Sequence, residues 1–277
     1  MSHSTRTHQT LLGYTGFVVS ALAVLGFVMP RGLMELSQQS ATATMPIPAH
    51  VFAKSFRFGA TSLTPAVQMS PVDASLAADL KLALADGTAA LEGGDYSAAH
   101  TAFSKALDLQ PESVLSYHGR ALASLRMQKY DAAIADLSAV LERRPDDVRA
   151  LANRGSAHHA LGKTRLATVD YNRAIALQPD YEIAFANRGS LHFDLGNYEH
   201  ALADFDRALV LDPQDSKTFY NRAMVLAQLQ KFDDAIADLK VAETLFRQQE
   251  QITAAKLSRQ ATEQLEAGTF DPLAPME

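Results

Sequence analysis

NRGSAHHALGK from Asn153, NRGSLHFDLGN from Asn187 and NRAMVLAQLQK from Asn221 are three versions of one stretch, and they begin 34 residues apart. Prolines keep the same step, at Pro111, Pro145, Pro179 and Pro213. A fixed period of this length is typical of a repeat protein, in which each unit buries its apolar face only against its neighbours.

The period divides residues 80–249 into five repeats, whose positions we number 1 to 34. They are residues 80–113, 114–147, 148–181, 182–215 and 216–249. Position 8 is small (Gly87, Ala121, Gly155, Gly189, Ala223), and position 20 is always alanine (Ala99, Ala133, Ala167, Ala201, Ala235). Position 24 is large and apolar (Phe103, Leu137, Tyr171, Phe205, Leu239), and position 27 is small again (Ala106, Val140, Ala174, Ala208, Ala242).

This pattern resembles that of the tetratricopeptide repeat (TPR) family. The resemblance implies antiparallel helix pairs that stack into a superhelix, with a concave inner face that binds other proteins and no chemistry of its own. The residues agree, because each repeat has two apolar stretches at helical spacing joined by a turn such as Leu195–Tyr198. We therefore predict an all-α fold: a TPR superhelical solenoid of five helix-turn-helix repeats, with an N-terminal transmembrane helix and a C-terminal capping helix.

The N-terminal region carries the membrane prediction. Residues 1–10 are a short tail, and residues 11–29 contain no charged side chain. Nineteen helical residues span roughly 28 Å, enough to cross a bilayer core. A cleaved signal peptide and a buried helix are the alternatives, but the apolar region of a signal peptide would have only about 7–15 residues. The nearest small-residue cleavage pattern, Ala41-Thr42-Ala43, lies well beyond the apolar run.

The basic residues on the two sides of this segment predict its orientation. The N-terminal tail has its amino group and Arg6, and the other side has Arg31 nearby. The positive-inside rule leans towards a cytoplasmic N-terminus and extracytoplasmic repeats. Cleavage would instead release a secreted or periplasmic protein.

Residues 30–69 form a predicted linker rich in Ser, Thr, Ala, Gln and Pro. Within it, apolar Val51, Phe52, Phe56 and Phe58 surround basic Lys54 and Arg57. This cluster is either a docking segment or part of a simple tether.

The repeat array, residues 70–249, should open with a long helix from Ser70-Pro71 to about Glu92, because serine caps helices and proline suits their first turn. The fifth repeat has Arg247 where the others have proline. Residues 250–267 continue the helical spacing and should form a capping helix, either separate or continuous with the last repeat. Residues 268–277 should form a tail.

Composition excludes several classes of function. Residues 1–70 carry net charge +3, and the remainder has 21 basic against 30 acidic residues. An acidic array disfavours nucleic acid as a partner, since phosphate binding needs clustered Lys and Arg. The absence of cysteine excludes thiol catalysis and disulfides. We find no catalytic grouping and expect a protein that is not an enzyme and has no cofactor.

Two motifs favour structural explanations. Gly162-Lys163-Thr164 resembles the end of a phosphate-binding loop, but the required first glycine is Ala157. His158 and His192 occupy position 11 of adjacent repeats, roughly 10 Å apart by helix packing. Zinc–nitrogen bonds are only about 2.0–2.1 Å, so we predict packed histidines and no metal site.

Arginine at position 7 and aspartate at position 23 occur together in four repeats and are both missing from the first. The predicted pairs are Arg120–Asp136, Arg154–Asp170, Arg188–Asp204 and Arg222–Asp238. Because the two positions face each other in an antiparallel hairpin, we predict an ion pair within each hairpin. An arginine ladder for a ligand is the alternative.

Position 6 supplies the candidate partner-binding residues, on the first helix of each hairpin. It is Asn153, Asn187 and Asn221 in the last three repeats. A row of amides resembles the asparagine ladder with which some TPR proteins hold the backbone of an extended peptide. Residues around it complete the predicted site: Arg149, Ser156, His159, Phe193, Asp194, Lys217 and Gln228. The alternative is that these asparagines bond within the hairpins.

We therefore predict a membrane-tethered TPR scaffold or adaptor that binds extended or helical segments of partner proteins. The resemblance implies a role in assembly or turnover of a membrane or envelope complex. A docking or regulatory subunit of an enzyme complex is the alternative from another class.

Overall fold

The structure, a computed structural model, describes residues 71–270, with side chains from residue 75 onward. The predicted anchor at 11–29, the linker at 30–69 and the last seven residues lie outside this range. The described chain is helical throughout and contains no strand. Its eleven helices are α1 (Pro71–Glu92), α2 (Tyr96–Leu109), α3 (Val114–Arg126), α4 (Tyr130–Arg143), α5 (Val148–Ala160), α6 (Thr164–Leu177), α7 (Glu182–Asp194), α8 (Tyr198–Leu211), α9 (Ser216–Gln228), α10 (Phe232–Gln248) and α11 (Ile252–Glu266).

These helices form five antiparallel hairpins and a final helix, as the period predicts. The described residues divide into two compact units, at 71–177 and 178–270. In the first unit α1–α6 form three hairpins, and α3 packs on α2 as α5 packs on α4. In the second unit α7–α10 form two hairpins, α9 packs on α8, and α11 packs on α10. The all-α TPR-like prediction is confirmed for these residues.

Each hairpin turn contains one residue with positive φ at position 15. It is Gly94, Gly162 and Gly196 in three repeats and Gln128 and Gln230 in the other two. Glycine adopts this conformation without steric cost, whereas other residues disfavour it. In the third repeat, the amide of Lys163 donates to the carbonyl of His158 at 2.8 Å, which closes the end of α5.

Position 8 of each hairpin packs against the large side chain at position 24. A Cβ on Gly189 would lie 2.9 Å from the ring of Phe205, and one on Gly155 would lie 2.7 Å from Tyr171. Alanine replaces glycine at position 8 only in the two repeats whose position 24 is leucine. The two helices therefore approach to a distance set by one pair of complementary side chains.

The C-terminal end is closed by a separate helix. α10 is 17 residues long, against 14 in the second helices of the other repeats. It ends at Gln248, and Glu250 reverses the chain with φ of 59°. α11 buries Ala255, Leu257, Ala261 and Leu265 in the core that it shares with α9 and α10. Its opposite face exposes Lys256, Arg259 and Glu263, as expected of a cap.

The membrane prediction has no counterpart among the described residues. Every helix between residues 71 and 270 is too short or too polar to cross a bilayer.

Candidate functional site

All four predicted Arg–Asp pairs are present, and each is bidentate. In the third repeat, Arg154 donates from Nε to Asp170 Oδ2 at 2.9 Å and from Nη2 to Oδ1 at 2.7 Å. Arg120, Arg188 and Arg222 make the same two bonds to Asp136, Asp204 and Asp238, at 2.7–2.8 Å. The guanidinium groups therefore join the two helices of each hairpin. The alternative, in which these arginines form a ladder for a ligand, is wrong for these residues.

The aspartates of these four pairs are buried. Their side chains are only 4–9% exposed, so these are not the exposed pairs that contribute about 0–1 kcal/mol. A buried carboxylate without its partner is costly, and the planar guanidinium fits it with two parallel bonds. The hydrogen bonds to Asp136 and Asp238 hold the pKa of Arg120 and of Arg222 above its usual value.

The same arginines also reach back to the preceding hairpin. Arg120 Nη1 lies 3.3 Å from Ser104 Oγ, and Arg154 Nη1 lies 3.2 Å from Ser138 Oγ. In the second unit, Arg222 Nη1 donates to Asp206 Oδ1 at 2.7 Å. Ser104, Ser138 and Asp206 all occupy position 25. Sequence analysis missed this link because position 25 varies between residue types and shows no pattern.

The histidines at position 11 of the third and fourth repeats lie next to the aspartates of the ion pairs. His158 Nε2 is 3.9 Å from Asp170 Oδ2, and His192 Nε2 is 4.0 Å from Asp204 Oδ2. Burial lowers the pKa of both His158 and His192, although the neighbouring aspartate raises it in each case. The described residues contain no group of three or more side chains suited to a metal ion. The two histidines thus pack beside the hairpin ion pairs.

One face of every first helix is left open between the packed surfaces. It consists of positions 2, 6, 9 and 13, which we call the first-helix face. On α5 these positions are Arg149, Asn153, Ser156 and Ala160; on α7 they are Ile183, Asn187, Ser190 and Asp194; on α9 they are Lys217, Asn221, Met224 and Gln228. Positions 2, 9 and 13 are partly or fully exposed in all five repeats. Within each unit, most of the predicted partner-binding residues therefore lie on the first-helix face.

Two predicted residues lie inside the protein. Asn221 is 3% exposed, whereas Asn153 and Asn187 are half-buried. Phe193 is 8% exposed and packs in a core cluster with Phe205 and Val225. Position 12 thus points towards the neighbouring hairpin here, and Phe193 contributes packing.

Two residue types of the predicted site, asparagine and serine, make hydrogen bonds within this surface. Asn153 Nδ2 lies 3.5 Å from His118 Nε2 on the neighbouring first helix. Ser156 donates its hydroxyl to the carbonyl of Ala152 at 3.0 Å, and Ser190 does the same to Ala186 at 3.1 Å. His159, at position 12, is half-buried. The face offers amide, hydroxyl and charged groups of mixed sign.

Comparisons with known proteins agree with this geometry. Sequence profiles described as "Tetratricopeptide repeat" match residues 84–126, 118–182 and 183–215. No curated protein sequence is significantly similar to the chain.

Several solved structures share the fold. The APC/C hetero-tetramer Cut9–Hcn1 superposes with a TM-score of 0.59 and 22% identity, covering 65% of this chain and 36% of that one. PilF of Pseudomonas aeruginosa gives 0.53 and 17%, covering 70% and 95%. The MamA protein gives 0.50 and 18%, covering 63% and 96%. At these identities the similarity concerns the fold alone. The repeat profiles and the helical hairpins together identify the chain as a member of the tetratricopeptide repeat family.

Proposed function

We propose that this protein is a non-enzymatic, membrane-tethered scaffold that holds extended segments of partner proteins against the first-helix face. The observation that carries this proposal is the exposure of positions 2, 9 and 13 in every repeat, although neighbouring positions are buried. Within each unit, a surface left open at the same place in successive hairpins suits a ligand that is itself extended. Proteins of this family bind peptide or protein partners.

Asn153 and Asn187 have the chemistry that backbone recognition needs. An amide both donates and accepts, so it can pair with peptide N–H and C=O groups whatever the partner's side chains are. Both residues are half-buried, which leaves part of each side chain accessible. The partners are therefore expected to be selected by their extended conformation first, and by Arg149, Asp194, Lys217 and Gln228 second.

A comparison of asparagine variants tests this mode of binding. Partners of the full chain would first be identified by crosslinking and co-purification from membranes, and their affinities would then be measured. Asn153→Ala and Asn187→Ala should each weaken binding by about 2- to 10-fold, because one hydrogen bond contributes roughly 0.5–1.5 kcal/mol, and should leave the melting temperature nearly unchanged.

Asn221→Ala provides the matched control. Because Asn221 is buried, its loss should lower the melting temperature more than it lowers affinity. Unchanged affinity in the Asn153 and Asn187 variants, with a clear loss of stability, would show that these asparagines serve the fold.

The membrane tether is supported by sequence. Residues 11–29 form an uncharged run long enough to cross a bilayer, and the flanking charges favour repeats on the extracytoplasmic side. The full chain should remain in the membrane fraction after a high-salt or carbonate wash, with its N-terminus intact. Recovery of a soluble protein that begins near Thr44 would refute the tether.

A further inference from the structure

One partly buried arginine on the first-helix face has no counter-charge within the described chain. Arg126 is at position 13 of the second repeat and is the last residue of α3. The other partly buried arginines between residues 75 and 270 each form an ion pair with a carboxylate. They are Arg120, Arg143, Arg154, Arg188 and Arg222. Arg126, in contrast, makes no hydrogen bond or ion pair with any described residue.

The surroundings of Arg126 make this unpaired charge costly. Burial lowers the pKa of Arg126 below its usual value, and Tyr96 at the start of α2 opposes this effect. Tyr96 itself packs against the core cluster that contains Leu91 and Phe103, and a phenol is not a counter-charge at neutral pH. Charges that proteins remove from water are normally paired. A guanidinium in this environment therefore suits a carboxylate that a ligand brings.

The rest of the first-helix face of α3 is apolar. It consists of Leu115, Gly119 and Leu122, followed by Arg126. α3 is the only one of the five first helices with apolar side chains at both position 2 and position 9, and both leucines are partly exposed. Gly119 between them is buried, and a Cβ there would clash with the ring of Phe103. The face thus presents two leucines and one unpaired cation.

An extended segment can satisfy both features at once. Arg126 lies one helical turn beyond Leu122, roughly 6 Å along the axis of α3. Alternate side chains of an extended chain point to the same side and are about 7 Å apart. A carboxylate two residues from an apolar side chain can therefore accept two parallel bonds from the guanidinium while the apolar side chain packs on Leu122. This surface also adjoins the asparagine row, because His118 of α3 lies 3.5 Å from Asn153 of α5.

We propose that Arg126 binds the side-chain carboxylate of an Asp or Glu in the partner segment, and that Leu115 and Leu122 hold apolar side chains beside it. The partner is then an acidic segment that also carries apolar residues. This inference rests on the proposed function, because it names what the first-helix face of the first unit selects. It adds the second repeat to a partner-binding site whose predicted residues all belong to the last three repeats.

Selection from a library of short random peptides tests the proposal with the purified full chain. Both ends of each peptide are blocked, so that every carboxylate comes from a side chain. The parent should enrich peptides that place Asp or Glu two residues from an apolar residue. Arg126→Gln should weaken the binding of such a peptide about 10-fold or more, because charge-assisted bonds are lost, and Arg126→Glu should select Lys or Arg instead. Arg165→Gln, at an exposed arginine on α6 in the same unit, is the matched control and should change neither result.

The melting temperature of the free protein gives a second readout. Arg126→Met keeps most of the side-chain volume and removes the unpaired charge, so it should raise the melting temperature by a few degrees while it weakens binding of the acidic peptide. A merely structural arginine would show the opposite change. An unchanged or lower melting temperature would mean that the guanidinium is already satisfied in the free protein, and would overturn the proposal.

The peptide selection also separates this inference from the proposed function. Peptides that bind the parent and Arg126→Gln equally, or that bind only with a free C-terminal carboxylate, would overturn the role of Arg126 and leave the binding of extended segments intact. A selection that yields no bound peptide from either protein would overturn both.

Discussion

Asp170 shows how much one residue contributes to this fold. Its carboxylate is 4% exposed and accepts two bonds from Arg154, whose third nitrogen contacts Ser138 of the preceding hairpin. One buried charge pair thus fixes the register of a hairpin and connects it to its neighbour. Removing one partner of a buried ion pair is costly, because the other charge is left uncompensated. Replacing both partners with apolar side chains costs less, because no buried charge then lacks its counter-charge.

Removing one partner should therefore destabilise strongly. We expect Arg154→Ala to reduce the free energy of unfolding by about 2–4 kcal/mol, because Asp170 is left buried without its counter-charge. Arg154→Lys should recover only part of this loss, since an ammonium cannot make the two parallel bonds. Urea unfolding would measure both.

Lys163→Ala is the control for that experiment. Lys163 Nζ lies 3.1 Å from Asp131 in the same unit, but both side chains are largely exposed, so the loss should be below about 1 kcal/mol. A loss from Arg154→Ala no larger than this would contradict the role assigned to the buried pairs.

The burial of His158 predicts that the stability of the fold depends on pH. Burial keeps the pKa of His158 below its ordinary value, and the same holds for His100, His118 and His192. The unfolded chain then binds more protons than the folded one near pH 6, so stability is fully present above the unfolded pKa of about 6.5 and falls as the pH decreases through it. The melting temperature should drop between pH 7.5 and 5.5.

His158→Leu should reduce this drop, and the fifth repeat already has Leu226 at the same position. Melting curves at the two pH values would compare the variant with the parent. An identical drop in both proteins would show that His158 is not one of the groups responsible.

At the scale of the helical hairpin, the pairing of positions 8 and 24 sets the distance between helices. Gly189→Ala gains about 1 kcal/mol of helix propensity. However, its new Cβ would lie 2.9 Å from Phe205, whose ring is fully buried. Overpacking costs about 1–3 kcal/mol, so we expect a net loss of stability.

Phe205→Leu should relieve this clash, as Leu137 and Leu239 accompany alanine in the second and fifth repeats. In a double-mutant cycle, Gly189→Ala and Phe205→Leu should show a favourable coupling of about 1 kcal/mol or more. The cycle also cancels the propensity gain. Additive effects would mean that the two positions do not set the spacing.

The hairpins were predictable because their signals are local and repeated. The period, the size pairing at positions 8 and 24, and the co-occurrence of Arg and Asp at positions 7 and 23 each appear several times in one chain. The break between α10 and α11 was not predictable, because Glu250 takes a conformation usually marked by glycine. The burial of Asn221 and Phe193 also escaped prediction, since burial depends on tertiary packing that the repeat pattern does not specify; Phe193 packs with Phe205 and Val225.

At the scale of the whole molecule, the ends of the repeat array differ. α11 covers the last hairpin with a polar outer face, whereas α1 leaves Leu82 and a cleft exposed among the described residues. Between these ends, the first-helix face repeats with different side chains in each hairpin. Within each unit, the Arg–Asp pairs hold a uniform framework, and the first-helix face carries side chains that differ from one hairpin to the next.

Site-specific photo-crosslinking in the full chain tests the binding role of that surface most directly. A photoreactive residue would replace Arg149 or Gln228 on the first-helix face, and Val169 or Val210 as controls, which are 57% and 72% exposed on second helices. The account predicts one set of partner adducts at Arg149 and Gln228 that is reduced several-fold or more in the Asn153→Ala and Asn187→Ala background, with few or no adducts at the control positions. Equal or stronger adducts at Val169 and Val210, unaffected by the asparagine variants, would contradict it.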